Sequence, residues 1–258
     1  HTTLAGAMAD AVSGDTIFLR DSVTENVTLT AGVNIAAWTG GTLNTPTITC
    51  TLTLTTAGTC NISVIRLVTN SAALLAVTGS AASIVNLFDC YLNCTNNTGI
   101  TFSSSSGSAL IQIENCDSNL TTTGITLFSH SSSGILSINR CMLNNSGAST
   151  TASTCSAGTL VISSTNIAFP ITTSSSGVIT GVFNSFNTSS TNSTSLTNGV
   201  NGAILLDCDF SAGTASAIST SAILNLYDCT VSSSNTNAIA GAGTLNYGGL
   251  VFTSTSSK

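Results

Sequence analysis

"SIVNLFDCYLN", residues 83–93, alternates apolar and polar side chains and then sets a cysteine at position 90. The chain repeats the phrase as "ALIQIENCDSN" at 109–119 and as "GILSINRCMLN" at 134–144. Aligned, the three give one template: apolar, any, apolar, any, any, cysteine or a small residue, any, apolar. Further copies follow at Leu160-Ile162-Thr165-Ile167, Ala203-Leu205-Cys208-Phe210, Leu224-Leu226-Cys229-Val231 and Leu245-Tyr247-Leu250-Phe252. An upstream copy, Cys60-Ile62-Ile65-Leu67, carries Ile65 in the cysteine slot, and a weak copy places Val182 and Ser185 in frame with polar Thr180 and Asn187 at apolar slots.

Successive slots lie 25, 26, 25, 24, 20, 23, 21 and 21 residues apart. A second apolar motif follows each first one: "LLAV" at 74, "TGITF" at 98, "TGITLF" at 123, "SAIS" at 216 and "NAIA" at 237. Runs such as "SSSSGS" between them have the composition of turns. Period-two alternation marks a strand with one buried face. Short strands recurring every 20 to 26 residues mark a solenoid, whose coils bury their apolar faces only by stacking. Leucine-rich repeats share the period but need a Leu-rich consensus, and helical repeats need a 3.6-residue periodicity; neither is present. The expected fold is all-β: a single-stranded right-handed parallel β-helix of about 8–10 coils spaced ~4.8 Å apart.

Stacking explains the cysteines. Cys90, Cys116 and Cys141 form an inward ladder that Thr165 and Ser185 continue and Cys208 and Cys229 resume. A small, slightly apolar side chain suits such a corner, and reduced cysteine is among the most buried residue types. The nine cysteines show no zinc spacing, and His1 and His130 are the only imidazoles. Free thiols persist where glutathione keeps them reduced, so folding is expected in a cytosol.

At the start, residues 1–13 read as a capping helix with Leu4, Met8 and Val12 on one face, Thr2 or Thr3 as N-cap and Gly14 as the C′ residue. Residues 14–252 form the β-helix and 253–258 a tail. With no cap beyond Phe252, that end is expected to abut another domain or subunit, or to be bare by truncation.

The 258 residues are 42% apolar, enough for a core, but only 5% charged, against roughly 25% in a typical soluble domain. A net charge of −6, with Arg20, Arg66, Arg140 and Lys258 scattered as the cations, argues against nucleic acid, which needs clustered Lys and Arg. No apolar run reaches the ~18 residues of a membrane-spanning helix, and no charged-then-apolar export signal opens the sequence.

Parallel β-helices host polysaccharide lyases and hydrolases, and glycoside hydrolysis takes two carboxylates ~5–9.5 Å apart. The best cluster is Asp207, Asp209 and Asp228: the first two flank inward Cys208, and Asp228 sits over Asp207 one coil on. The same column holds Asp89, Asn115, Arg140, Ser164 and Asn184, so the acids read as corner residues. His130, in "LFSHSSSG", reads as a solvated loop residue, since a general base needs an orienting partner. No catalytic, cofactor or metal site is assigned. Outward Asn86, Gln112 and Asn225 could meet a sugar or another subunit. Ice binding would need a flat array of outward Thr at constant coil length, whereas the coils vary.

"TLAGAMADAVSGDTIFLRDSVTENVTL" resembles the entry of pectin-lyase-like right-handed β-helix proteins. "ENVTLTAGVNI", "AVTGSAASIVNLFDCYLNCTNNTGI" and "GAGTLNY" resemble β-helical repeats of bacteriophage tail fibres and related virion appendages. The resemblance implies a non-enzymatic structural and adhesive virion protein, folded in host cytoplasm and acting outside. Its implied partners are other virion subunits, a homo-oligomer with a trimer favoured, and host surface glycans. The alternatives are a surface-glycan depolymerase on the same fold and a cellular adhesin or filament subunit.

Overall fold

The computed structural model describes residues 1–38, 45–49, 51–69, 73–95, 98–120, 124–145, 151–188, 194–199, 201–235 and 237–254. Among these, the strands form three parallel sheets of 11, 10 and 10 strands, here A, B and C, which the chain visits in turn once per coil. The result is a parallel β-solenoid with one short helix at its start. That helix is not long or apolar enough to cross a membrane.

Pairing confirms the frame of the template. Val85 lies over Cys60 and beneath Ile111, which is followed by Leu136 and Leu160. These residues and their i+2 neighbours point inward with exposures at or near zero. Sheets B and C bring Leu67, Leu92 and Leu143, and Leu75, Ile100 and Ile171, into the same dry core. From strand Gly58–Ser63 onwards the chain turns between sheets A and B in two residues. The longer connections from B to C and from C back to A absorb the changes in coil length, so strand stacking survives them.

The weak copy departs from the sequence reading by one residue. Leu160 pairs with Ile179 and Ile162 with Gly181, so the coil is entered on 179, 181, 184 and 186 rather than on Val182 and Ser185. Asn184, 3% exposed, fills the slot, and the corner column holds Phe183, not Asn184. Gly181 makes this possible. A Cβ there would meet Leu205 Cδ2 at 2.8 Å and Asn184 Nδ2 at 2.9 Å, so the missing side chain at 181 leaves room for the amide.

The helix, α1 (Leu4–Asp10), buries Leu4 and Met8 over the first coil. This shields the end of the stack, as a solenoid's terminal repeat requires. Thr3 is the N-cap and accepts from Gly6 N–H at 3.1 Å. Glu25, from the first coil, accepts from Leu4 and Ala5 N–H at 2.5 and 3.2 Å, satisfying first-turn donors that the helix itself cannot. Two expectations fail here. Val12 is 66% exposed because the helix has already ended. Gly14 (φ +99°) serves the turn into the first strand, its N–H donating to Gly32 O, while extended Ala11 is the C-cap. At the other end, strand Val251–Ser254 runs past position 252, and Tyr247 and Phe252 are more than half exposed.

Candidate binding faces and corner clefts

The A-to-B corner has a fixed chemistry. Its first residue is left-handed in coil after coil: Val64, Asp89, Asn115, Arg140, Ser164, Phe183, Asp207 and Asp228 have φ between 49 and 57°, and Gly249 has 66°. Asn and Asp enter this region more easily than other L-residues, which accounts for Asp207 and Asp228. The second corner residue is the slot, and its backbone N–H points along the stack at the side chain of the next coil's slot. Cys90 N–H donates to Cys116 Sγ (3.3 Å), Cys116 N–H to Cys141 Sγ (3.4 Å), Cys141 N–H to Thr165 Oγ1 (3.3 Å) and Thr165 N–H to Asn184 Oδ1 (3.0 Å). The thiols in turn donate to the carbonyl two residues back, as Cys116 does to Glu114 O at 3.3 Å. From Cys116 to Asn184 the slot therefore holds a small group that both accepts and donates, while Ile65 and Leu250 fill it towards the two ends of the column. That is why Cys, Thr and Asn alternate in it, a role beyond the packing expected from the sequence.

All eight described cysteines are buried free thiols; Cys50 lies outside the described residues. Burial pushes Cys94 up to about 12 and Cys155 up to about 11. The hydrogen bond with Cys116, together with burial, raises Cys141. Cys94, Cys141 and Cys155 are therefore protonated at neutral pH, whereas hydrogen bonds with the neighbouring slot thiols lower Cys90 and bring Cys229 down to about 7.

Asp207, Asp209 and Asp228 are exposed. Asp228 lies one coil above Asp207, whose N–H donates to Tyr227 O, and Asp209 opens the next strand beside Ser185 and Thr230. Asp207 and Asp209 border a shallow cleft of about 480 Å³ with Ser164, Asn166, Phe183 and Ser185. A larger cleft, about 590 Å³, lies beside Val64, Asp89, Tyr91, Asn115 and Asp117, with the Arg66 guanidinium 5.4 Å from the Tyr91 ring centre. Asn115 donates to Asp89 there, while Arg140 pairs with Glu114. Tyr91 and Asp117 went unnoticed in the sequence, although they follow Arg66 at one-coil spacing. Arg20 pairs with its neighbour Asp21 at 3.3 Å, and Lys258 lies outside the described residues. Among the described residues, no three His, Cys, Asp or Glu side chains converge as metal ligands.

His130 is not a loop residue. It lies in strand Phe128–His130, fully buried, stacked on Phe102 with ring centres 4.8 Å apart. Its Nε2 lies 3.2 Å from Thr159 O, and Nδ1 has no hydrogen-bond partner. Burial lowers its pKa from 6.5. The difference lies in register: Ile100 pairs with Phe128, not Ile125, because the preceding B-to-C connection is two residues longer than in the coil before.

The outward faces differ sharply. Sheet C shows one column of Thr28, Thr53, Thr101, Thr154, Thr172 and Thr197 with Ser129, Ser219, Ala76 and Ala240 interspersed. Two residues further along each coil, Thr78, Ser103, Ser131, Ser156, Ser174 and Ser221 continue the ladder through their backbone N–H groups. This is a flat, uncharged, two-column array of hydroxyls, and the coil-length changes that argued against regularity leave it undisturbed. Asn86, Gln112 and Asn225 lie elsewhere, in one outward column of sheet A. At the first coil, exposed Phe18 and Trp38 meet edge to face at 5.8 Å.

Comparison with known protein families, with curated proteins and with solved structures finds no match.

Proposed function

We propose that the chain is a non-enzymatic structural and adhesive protein of a virion appendage: a bacteriophage tail fibre, spike or capsid decoration, assembled with copies of itself and with other virion subunits. It folds in host cytoplasm and works outside. The observation that carries this reading is the two-column hydroxyl face of sheet C. A face that repeats the same weak contact at every coil suits a repetitive, hydroxyl-rich partner such as a host surface glycan, because linked weak contacts reinforce one another. Two observations support it. The buried free thiols fit folding in a reducing compartment, and the solenoid is the architecture of the virion proteins that the sequence resembles. Asp207 and Asp228 have a conformational explanation in their left-handed backbone, which weighs against reading them as a dedicated catalytic pair.

The test is retention of the protein on immobilised lipopolysaccharide or capsule, with glycan length followed in parallel. Retention with unchanged length is expected. Shortened chains would turn the reading to a depolymerase, and lack of retention on any glycan would remove the adhesive half. The same face favours a second reading, adsorption to ice, whose surface is also an ordered array of hydrogen-bonding groups. A gap between freezing and melting points in the protein's presence would decide for it.

A further inference from the structure

The outward side of sheet A divides into three stretches along the stack. At its start, Asn61 Nδ2 donates to Asn34 Oδ1 at 2.7 Å and Asn86 Nδ2 to Asn61 Oδ1 at 2.8 Å. At its end, Asn246 Nδ2 donates to Asn225 Oδ1 at 2.9 Å. Between these amide ladders lie strands Ile135–Asn139, Thr159–Ser163, Val178–Val182, Ala203–Leu206 and Leu224–Tyr227. Their outward positions carry no charged side chain, and the Glu114–Arg140 ion pair borders the region on the side of the first coils. Ile135, Ile204, Leu206 and Tyr227 there are 40 to 47% exposed, and adjoining Ile223 is 53% exposed.

Purely parallel sheets are usually covered on both sides. In this solenoid sheets B and C cover the inner side of sheet A, and only its outer side is both flat and apolar. Five strands ~4.8 Å apart and about five residues long give the apolar stretch roughly 400 Å², a size that on a monomer commonly marks an interaction site. Aligned on itself, this stretch overlaps seven strands, from Leu110–Glu114 to Leu245–Gly248, which is ~550 Å² per partner on the same spacings and gives a pair total above the ~1,000 Å² that a specific interface clears. An apolar centre with hydrogen-bonding groups towards the margins is also how such interfaces are built.

We propose that this face packs against the same face of a second copy of the chain, the two solenoids lying side by side and antiparallel. A single flat face makes an isologous contact, which closes as a two-fold pair. A ring of three would need a second, different surface. In the two-fold arrangement the apolar stretches meet, the Asn225–Asn246 end of each copy lies over Ser137 and Gln112 of the other, and the Asn34–Asn86 end lies outside the contact. Neither face brings a charge to its centre that would repel its twin. The pairing does not depend on the virion reading, because mass and glycan retention are measured separately.

The experiment is sedimentation equilibrium of the full chain under reducing conditions, alongside Ile204→Asp and, as a control on the hydroxyl face, Thr172→Asp. The expected result is twice 25.8 kDa for the unaltered chain and for Thr172→Asp. Ile204→Asp should fall to the single-chain mass with an unchanged circular dichroism spectrum. Thr180→Lys, on the same face, serves if Ile204→Asp does not fold. A single-chain mass for the unaltered protein at every concentration would overturn the proposal. So would a mass of three chains, or a pair that survives both substitutions.

Discussion

Two columns of polar atoms run through the interior of this solenoid, and they are built on opposite terms. In the corner column, Cys116, Cys141 and Thr165 each answer backbone groups: the N–H of the slot one coil earlier and a carbonyl two residues back. In sheet C, the inward column runs Val77, Phe102, His130, Cys155, Thr173, Asn198 and Thr220, and its polar members mostly answer one another. Thr173 Oγ1 donates to Asn198 Oδ1 at 3.2 Å, and Asn198 Nδ2 donates to Thr220 Oγ1 at 3.1 Å and to Ile223 O at 3.2 Å. A need set by the backbone returns at every coil. A need set by one side chain exists only where its neighbour created it.

The largest effect should come from breaking the sheet C network. Asn198→Ala takes the acceptor from the Thr173 hydroxyl and a donor from the Thr220 hydroxyl in the core, and about 3 kcal/mol of stability should be lost, read from the denaturant midpoint. Replacing the set together (Thr173→Val, Asn198→Leu, Thr220→Val) should recover only part of it, because the Gly199 and Ala222 N–H groups donate to the Thr173 and Thr220 hydroxyls. A triple variant no better than Asn198→Ala would show that these backbone donors outweigh the contacts between side chains.

The corner column should behave in the reverse way. Cys116→Val leaves the Cys90 N–H without its acceptor and should cost about 2 kcal/mol. Cys116→Thr, which borrows the chemistry of Thr165, should cost under about 1 kcal/mol on the same reasoning. Equal losses in thermal melts would mean that the slot only needs filling.

His130 gives the sheet C column a dependence on pH below neutrality. Burial lowers its folded-state pKa from 6.5, so the unfolded chain takes up the proton first as pH falls. Stability from this group is full above about 6.5 and declines below it, towards the lower folded value. Melting temperature should therefore drop between about pH 8 and about pH 5, and His130→Phe, stacking on Phe102 as the imidazole does, should flatten that drop. An unchanged slope would assign the dependence to another group.

The smallest effect is a gain. Val64 holds φ 57°, a conformation that disfavours β-branched side chains, and Val64→Asn should raise stability by about 1 kcal/mol. No gain in the thermal midpoint would show that the apolar contacts of Val64 offset its strain.

The corner is what made the fold legible. Because the left-handed residue, the slot and the flanking inward pairs recur with the backbone, "SIVNLFDCYLN" and its copies exposed the coil, its length and the burial of the cysteines. The legibility failed at the short coil. There Val182 and Ser185 fit the alternation as well as Ile179 and Asn184 do, and only the space left by Gly181 decides between them. It failed again at His130, where a B-to-C connection longer by two residues shifted the next strand and carried the imidazole from an apparent turn into the core.

The candidate surfaces were the least readable part. The sequence marked outward positions such as Asn86, Gln112 and Asn225 and the corner acids Asp207, Asp209 and Asp228, but it could not say which outward residues share a face. Alternation by itself determined a parallel solenoid with inward cysteines, because period two and a repeated corner are local properties of the chain. The hydroxyl array, the apolar face with its amide ends, the Glu25 cap on α1 and the one-residue frame of the short coil were decided by the tertiary structure. Each depends on the register between coils some twenty residues apart, and loop length sets that register without leaving a pattern in the sequence.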